Sequence, residues 1–370
     1  MKLARSSWMR KRAAALLLLW ALAALCGASL LVWTLLDRAG TFAERTVFVE
    51  TPNLATRPGV RVLDANNAFF TVLNAEPNRV DVHWKASEIR AQHPICRMKR
   101  LDGPPTSVMG TLNSEREYPV LIDTGSPQGV IVNDVVAVES GLAIYPVEAG
   151  PGVGGLCDIE QIEIGGMTLR HPPCCYMLGH YERRAFGKRT QKERQIILGL
   201  QVMRSFQYLL IDHTTSEVEF GLLQSFTPGP SDSWRHYPLA WEGGHDAGLE
   251  VFVEIPLAGR TRRVKIDTAA AWNLYVEPNM WQGLSADVKV IESSRSRSKM
   301  FRGWTDVEKV IVEQLQVGSR TLPIGTIAVV DEGAGWRPGT LVMGMASFFD
   351  TAIVLDFGHG RFWVRQAQDE

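Results

Sequence analysis

Two short motifs, one in each half of the chain, constrain the fold more than any other feature of the sequence. Residues 122–126 read Ile-Asp-Thr-Gly-Ser, and residues 266–270 read Ile-Asp-Thr-Ala-Ala. The second aspartate follows the first after 144 residues (267 − 123), and each motif ends an apolar, strand-like segment. A lone Asp-Thr-Gly often arises by chance in a turn. Two copies in matched apolar surroundings instead indicate a duplicated unit that contributes one aspartate per copy.

The repeat extends well beyond the two aspartates. Residues 197–199 (Ile-Leu-Gly) and 342–344 (Val-Met-Gly) follow them at almost the same interval. Residues 159–166 and 312–319 both alternate apolar and polar side chains and end in a glycine turn, which predicts a half-buried hairpin strand in each copy. A unit of roughly one hundred residues is too long for a solenoid repeat and indicates two homologous lobes.

Both copies resemble retropepsin-like aspartic peptidases, and their arrangement in one chain resembles a two-lobed, pepsin-like enzyme. The resemblance rests on Asp-Thr-Gly-Ser at 123–126, the glycine-rich segment 150–155, Ile-Gly-Gly at 164–166 and Ile-Leu-Gly at 197–199. It extends over residues 111–366 and is weaker in the second copy. It implies a mainly β fold, a bilobal aspartic-peptidase-like double β-barrel with the active site in the cleft between the lobes.

Asp123 and Asp267 are the predicted catalytic pair. Two carboxylates held close together cannot easily both ionise, so one keeps a proton while the other acts as a base toward a water molecule. The predicted function is that of an aspartic endopeptidase, which hydrolyses a peptide or protein substrate without a cofactor or a metal ion. Since both aspartates belong to one chain, an oligomer is not required to complete the site.

The residues beside the pair are assigned supporting roles. By the resemblance, the hydroxyls of Thr124 and Thr268 cross-brace the two active-site loops. Gly125 permits a tight loop with its N–H near the carboxylate, and Ser126 is expected to hydrogen-bond the outer oxygen of the first aspartate. Ala269 departs from the family's glycine, and its methyl group costs energy if the loop needs a positive φ.

The departure at Ala269 keeps two alternatives to an active enzyme open. One is a catalytically weakened pseudoprotease that acts as a peptide-binding module. The other is a structural cell-envelope protein that keeps the fold for packing alone.

The resemblance also places a flap over the site. Its predicted residues, which would approach the substrate backbone, are Gly150, Gly152, Gly154 and Gly155. Several glycines in this segment favour a mobile loop, and a flexible hairpin tip without a binding role is the alternative. The second copy has a basic segment at 293–304 instead, which is interpreted as a solvated loop. A segment that favours acidic substrates or anionic lipid headgroups is the alternative.

The cysteines and histidines outside the motifs are assigned structural places. Adjacent Cys174 and Cys175 point to opposite faces of an extended strand, so they cannot comfortably share a tetrahedral metal ion. In an oxidising compartment, a disulfide of Cys157 with Cys174 or Cys175 is predicted. His213 and His359 follow equivalent apolar strands and are expected at the surface.

The amino terminus predicts a membrane anchor. Residues 13–36 carry no charged side chain and exceed the roughly 20 residues that cross a bilayer as a helix. Residues 1–12 contain basic but no acidic side chains, so the positive-inside rule keeps them in the cytoplasm. The prediction is a single-pass membrane protein whose main domain is periplasmic, lumenal or extracellular. A signal peptide cleaved near residues 26–28 is the alternative.

The remaining segments complete the expected domain organisation. Residues 37–110 form an extension whose interpretation as a stalk, a strand donor or an inhibitory propeptide stays open. Residues 111–226 are the first lobe, 227–250 a linker rich in turn-forming residues, and 251–370 the second lobe. The net charge of −1 offers no case for nucleic acid as a partner.

Overall fold

The computed structural model describes most of the chain after residue 41. The described residues are 42–47, 61–76, 79–85, 87–102, 105–147, 153–177, 180–185, 188–229, 233–243, 249–300, 303–330 and 339–366. The predicted transmembrane helix at 13–36 lies outside them. Within these ranges, no helix combines the length and the apolar character that crossing a bilayer requires.

Strands dominate the described residues. In chain order they are β1 (Phe42–Val47), β2 (Arg61–Val62), β3 (Phe70–Glu76), β4 (Arg79–Trp84), β5 (Glu88–Ala91), β6 (Ile95–Lys99), β7 (Ser107–Leu112), β8 (Arg116–Ile122), β9 (Val130–Asn133), β10 (Ala143–Pro146), β11 (Val153–Cys157), β12 (Gln161–Ile164), β13 (Met167–Arg170), β14 (Cys174–Met177), β15 (His180–Ala185), β16 (Lys188–Lys192), β17 (Ile196–Leu198), β18 (Tyr208–Asp212), β19 (Glu217–Gly221), β20 (Trp234–Glu242), β21 (Glu250–Leu257), β22 (Arg260–Asp267), β23 (Leu274–Val276), β24 (Lys289–Met300), β25 (Gly303–Val317), β26 (Arg320–Val330), β27 (Val342–Gly344), β28 (Ala352–Asp356) and β29 (Arg361–Arg365).

Helices are few and short. They are α1 (Asp134–Glu139), α2 (Leu200–Met203), α3 (Pro278–Ser285) and a 3₁₀ helix at Met345–Phe348. Because strands far outnumber helices in the described part of the chain, the protein is mainly β, as the sequence predicts.

Two large sheets contain most of the strands. The first has the order β2-β10-β11-β14-β9-β17-β8-β7-β12-β13-β5. The second has the order β24-β25-β26-β23-β27-β22-β21-β20-β29-β28-β18-β19-β6. The first sequence motif follows β8, in the first sheet, and the second motif begins at the end of β22, in the second sheet.

The second large sheet brings the two copies of the repeat into direct contact. Its strands β6, β19 and β18 come from the first half of the chain, and β28, β29 and β20 come from the second half. The halves meet where β18 pairs antiparallel with β28, with Leu210 opposite Val354. Both strands are almost wholly buried, which explains why their sequences are continuous apolar runs.

The segment before the first motif donates strands to both large sheets. β5 pairs with β13, and β6 pairs with β19 through five consecutive residue pairs. Of the three interpretations left open for residues 37–110, the strand donor describes this part of the structure.

The expected linker at 227–250 contains a strand, β20, nine residues long. This strand pairs with β29 on one side and with β21 on the other. Tyr237 and Leu239 alternate with exposed residues and are buried, so the segment has the period-two pattern of a sheet strand. The turn-forming residues at 227–233 had obscured that pattern.

The chain divides into two compact units. The first comprises Met1–Val47 and Tyr181–Glu193, and its described part contains the strands β1 and β16 and most of β15, which form a separate three-stranded sheet. The second comprises Phe48–His180 and Arg194–Glu370. Both predicted catalytic aspartates belong to the second unit, so the candidate site is formed within one compact body.

Candidate active site

The two aspartate loops are held by the same strand arrangement in each copy. β17 lies between β8, to which it is parallel, and β9, to which it is antiparallel. β27 lies in the same way between β22 and β23. Each aspartate therefore lies at the end of a buried strand that is hydrogen-bonded to a neighbouring strand on either side. These main-chain hydrogen bonds fix the start of the aspartate loop.

The glycines of the two apolar-apolar-glycine motifs allow each loop to return close to its neighbouring strand. A Cβ atom on Gly199 would lie 2.4 Å from the carbonyl oxygen of Gln128, and one on Gly344 would lie 2.2 Å from that of Trp272. Since Cβ atoms do not approach oxygen this closely, a larger residue at either position would displace the loop. The sequence feature that revealed the repeat is thus a packing requirement of the site.

Thr124 and Thr268 brace the two loops against each other. The amide of Thr124 donates to Thr268 Oγ1 at 3.0 Å, and the amide of Thr268 donates to Thr124 Oγ1 at 3.1 Å. Each hydroxyl donates in turn to a carbonyl of the opposite copy, Thr124 to Ile266 at 2.7 Å and Thr268 to Ile122 at 2.5 Å. Both threonines are fully buried. Four reciprocal hydrogen bonds therefore join the two halves of the chain directly beneath the aspartates.

The two carboxylates are held by equivalent amides. Asp123 Oδ1 accepts from the amides of Gly125 at 2.8 Å and Ser126 at 3.2 Å. The same oxygen of Asp267 accepts from the amides two and three residues further along, at 2.9 and 3.1 Å. One oxygen of each carboxylate is thus fixed by its own loop.

Asp267 lies against the loop that carries Asp123. A Cβ atom on Gly125 would come within 2.4 Å of Asp267 Oδ2, so glycine is required here by close approach to the opposite carboxylate. Burial and, secondarily, the negative charge of Asp267 raise the pKa of Asp123 to about 8. A carboxyl with this pKa is protonated at neutral pH, as expected for a buried carboxyl group beside a second carboxylate.

Ala269 fits its loop without strain. Ala269 does not have a positive φ, and neither does the equivalent Gly125 of the first copy. The methyl group of Ala269 packs against the first-copy side chains Leu121, Ile131 and Ile197. The cost expected from a left-handed backbone is therefore absent, because the glycine of the first copy serves close approach and not a special φ.

Ser126 differs from its expected role. Its hydroxyl donates to Gln128 Oε1 at 3.0 Å, whereas the sequence analysis assigned it to the outer oxygen of Asp123. The side chain is buried beneath the loop, and only the Ser126 amide reaches the aspartate. Ala270 therefore lacks the hydroxyl of Ser126 but keeps the corresponding amide contact.

The predicted flap glycines fall into two groups. Gly150 and Gly152 lie outside the described residues. Gly154 and Gly155 are buried in strand β11, where a Cβ atom on Gly155 would lie 2.4 Å from the carbonyl oxygen of Tyr145. The prediction that these two belong to a mobile loop was wrong, because both are buried in a sheet strand. At Gly155 the neighbouring strand β10 passes too close for a side chain.

The structure brings Cys157 and Cys174 together on neighbouring strands. Their sulfur atoms are 2.8 Å apart in a buried thiol–thiol contact, and both are free cysteines. Cys175 points elsewhere and packs with the side chains that contact Ala269. Of the two predicted pairings, the geometry favours Cys157 with Cys174, and a disulfide between them stays a prediction. Across the described residues, no three His, Cys, Asp or Glu side chains converge to hold a metal ion.

Lys265 is a further residue of the site that the repeat pattern does not reveal. It lies two residues before Asp267 in the buried run Val264-Lys265-Ile266, and its side chain crosses to the first copy. A lysine inside the apolar strand that leads to the second aspartate motif was the available signal. The equivalent residue of the first copy is Leu121.

His213 also differs from expectation. Its side chain is 8% exposed and packs against the ring of Phe349, with a centroid distance of 5.3 Å. It is therefore buried, whereas His359 has a half-exposed side chain beside Asp356, as expected of a surface turn. The difference arises because His213 lies next to β28, with its amide donating to the carbonyl of Thr351.

Comparison with known proteins gives little further information. No family model matches the chain, and no curated protein matches it. Among solved structures, the crystal structure of basic 7S globulin from soybean is similar, with 12% sequence identity and a TM-score of 0.41. The similarity covers 74% of this chain and 95% of that one. At this TM-score the similarity carries no argument, so the site is interpreted from its own geometry.

Proposed function

We propose that the protein is an aspartic endopeptidase whose two sequence repeats form the two lobes of one site. The reciprocal hydrogen bonds between Thr124 and Thr268 carry this proposal. They hold two aspartate loops, one from each copy, face to face in one chain. A protein that kept this fold for packing alone would not need an aspartate at both loop positions.

The proposed reaction uses the pair as a combined base and acid. A water molecule held between the carboxylates loses a proton to the ionised aspartate as its oxygen attacks the scissile carbonyl carbon. The protonated aspartate transfers its proton to the carbonyl oxygen, so the tetrahedral intermediate carries two hydroxyl groups and the pair keeps the single proton taken from water. The amine nitrogen then takes up that proton as the C–N bond breaks, and one hydroxyl returns its proton to the pair as it becomes the carbonyl of the new carboxyl group.

The elevated pKa of Asp123 supports activity that extends to neutral pH. The single shared proton is retained below the pKa of about 8 and is lost above it, when both carboxylates ionise. Cleavage should therefore decline as pH rises through this value. The substrate is proposed to be an extended peptide whose backbone pairs with strands bordering the site.

The test is cleavage of a diverse peptide mixture by the purified protein between pH 3 and 9, with and without pepstatin. We expect new peptide termini that pepstatin suppresses, with activity falling above about pH 8. Pepstatin binding without any cleavage would identify a peptide-binding module. If pepstatin does not bind and no peptide is cleaved, the alternative of a structural protein would remain.

The proposed enzyme is anchored in a membrane by residues 13–36, with the catalytic domain exported. The uncharged run and its basic flank support this placement. The protein should resist alkaline carbonate extraction, and a reporter fused after Glu370 should be active only outside the cytoplasm. A soluble mature chain that begins near Ser29 would show that a signal peptide had been cleaved instead.

A further inference from the structure

A buried lysine reaches across the two copies to the loop of Asp123. Lys265 is only 3% exposed, and its ammonium group donates to the carbonyl oxygen of Gly125 at 3.1 Å. The same group donates to Glu250 Oε1 at 3.2 Å, and Glu250 is also buried. Lys265 thus joins a carboxylate of its own copy to the active-site loop of the other copy.

Gly125 is held at three points by side chains of the site. Its N–H donates to Asp123, its α-carbon lies against Asp267, and its carbonyl accepts from Lys265. Any movement of the Lys265 ammonium would therefore be transmitted to both carboxylates through a single residue.

Burying an ammonium group is costly unless it is paired and hydrogen-bonded. The first copy shows that the strand does not need a charge at this position, because Leu121 occupies the equivalent place and is buried among apolar side chains. Packing alone would be served by an apolar residue in the second copy as well. The free-energy cost of burying the Lys265 ammonium group therefore favours a role for Lys265 at the site that it faces.

We propose that Lys265 is a positioning residue for the aspartate pair, holding the Gly125 carbonyl and placing a fixed positive charge beside Asp123. This inference deepens the proposed function and rests on it for its catalytic meaning. The effect of the Lys265 charge on the titration of Asp123 can be tested even if the protein cleaves no peptide.

Few other charges compete with Lys265 for this influence. On its own strand, Arg263 pairs with Glu242 of β20, and Asp267 belongs to the proposed pair. The neighbouring β21 supplies Glu250, and β27 places apolar Val342 opposite Lys265. Within the described part of the site, Lys265 is thus the cation that acts directly on the first loop.

The sign of the effect follows from charge. The positive charge of Lys265 favours ionised Asp123, so it lowers the pKa of Asp123 and partly opposes burial and the charge of Asp267. Removing the lysine should raise that pKa. Removing the charge of Glu250 should lower it, because one negative charge near the pair is lost while the Lys265 ammonium keeps its hydrogen bond to Gly125.

The experiment is a ¹³C NMR titration of aspartate carboxyl groups in the purified full-length protein, with the Asp123 signal assigned by its loss in Asp123→Asn. In Lys265→Met we expect the Asp123 titration to move up by about one pH unit, a tenfold change in proton affinity. In Glu250→Gln it should move down, and in Lys265→Arg it should stay near its wild-type position. Arg262 lies on the same strand as Lys265, and Arg262→Met breaks its ion pair with Asp287. This variant is the matched control and should leave the Asp123 titration unchanged.

Unchanged Asp123 titration in folded Lys265→Met, or a shift equal to that of Arg262→Met, would overturn the proposal. If Lys265→Met does not fold, Lys265→Gln decides, because it keeps a donor toward the Gly125 carbonyl without the charge: an upward shift supports the proposal and no shift overturns it. Cleavage assays separate this result from the proposed function. Opposite titration shifts in a protein without cleavage would support the placement of Lys265 while rejecting the peptidase. Cleavage by the wild type without titration shifts would retain the peptidase and reject the role of Lys265.

Discussion

The carboxylate of Asp267 lies against the α-carbon of Gly125, so close that a methyl group on Gly125 would come within 2.4 Å of Oδ2. The two repeats are therefore not interchangeable at this position. The first copy needs a glycine to admit the aspartate of the second copy, whereas the second copy carries Ala269 at the equivalent place and packs its methyl group against apolar side chains. Because the two loops differ at this position, the need for glycine in the first loop and for alanine in the second can be tested by separate substitutions.

Gly125→Ala and Ala269→Gly should have different consequences: the first should impair turnover, and the second should mainly reduce stability. Gly125→Ala forces Asp267 out of position, and a displacement of about 1 Å at a reacting group can cost about a hundredfold in rate. Ala269→Gly should leave turnover close to wild type, because the loop has no positive φ for a glycine to relieve. It should cost about 1 kcal/mol in unfolding free energy through the lost methyl contacts and added chain flexibility. Steady-state kinetics and urea unfolding measure the two effects.

A large gain in rate for Ala269→Gly would contradict this interpretation. It would show that the alanine weakens catalysis and that the unmodified protein is closer to a pseudoprotease. Equal loss of activity in both variants would show that the asymmetry between the loops has no functional meaning.

Both members of the aspartate pair should be indispensable. Asp123→Asn and Asp267→Asn should each reduce turnover by about a thousandfold or more, because neither carboxylate can act as base and acid alone. Peptide cleavage measures the loss, and the exposed Asp306→Asn controls for removal of a negative charge as such. Retained activity in Asp267→Asn alone would mean that the second copy is not catalytic.

Activity should not depend on self-association. Since one chain contributes both aspartates, turnover per molecule should stay constant on dilution. A steep loss with dilution, reversed on concentration, would instead indicate that the site is completed by a second chain.

The threonine brace should matter for both stability and activity. Thr124→Val removes the hydroxyl that accepts from the Thr268 amide and donates to the Ile266 carbonyl, and leaves both partners buried. Losing such bonds costs about 1 to 3 kcal/mol of unfolding free energy, and turnover should fall with the geometry of the pair. Thr124→Ser keeps the hydroxyl and should retain most of both. A valine variant as active and stable as wild type would show that the brace is dispensable.

The elements of the site that occur in both copies could be predicted, because the sequence shows each of them twice. The two aspartates, the two threonines and the apolar-apolar-glycine motifs recur at matched spacing, and each keeps its place for a reason of packing or hydrogen bonding. The elements that only one copy contains could not be found this way. Lys265 replaces a leucine of the first copy, and its contact with Gly125 depends on how two distant strands come together.

Local pattern also failed where long-range pairing decided the environment. Gly154 and Gly155 have the composition of a loop, yet β10 and β14 pair with their strand and bury them. The turn-forming residues before β20 similarly concealed a strand that pairs with β29 and β21. His213 follows an apolar strand like His359, but only His213 is covered by the ring of Phe349.

The burial of His213 predicts a loss of stability in acid. Burial, followed by the nearby charge of Arg100, lowers the pKa of His213 from 6.5 to about 4. Between these values the unfolded chain binds a proton that the folded protein does not, so the stabilisation present above pH 6.5 is lost as pH falls toward 4. The difference corresponds to about 3 kcal/mol at most.

His213→Phe, which keeps a ring against Phe349, should therefore lose less unfolding free energy than wild type between pH 7 and pH 4.5 in urea titrations. His93→Phe, at an exposed position, is the control and should follow the wild-type pH dependence. Parallel pH dependence in wild type and His213→Phe would mean that the histidine titrates normally and that carboxyl groups alone account for any acid sensitivity.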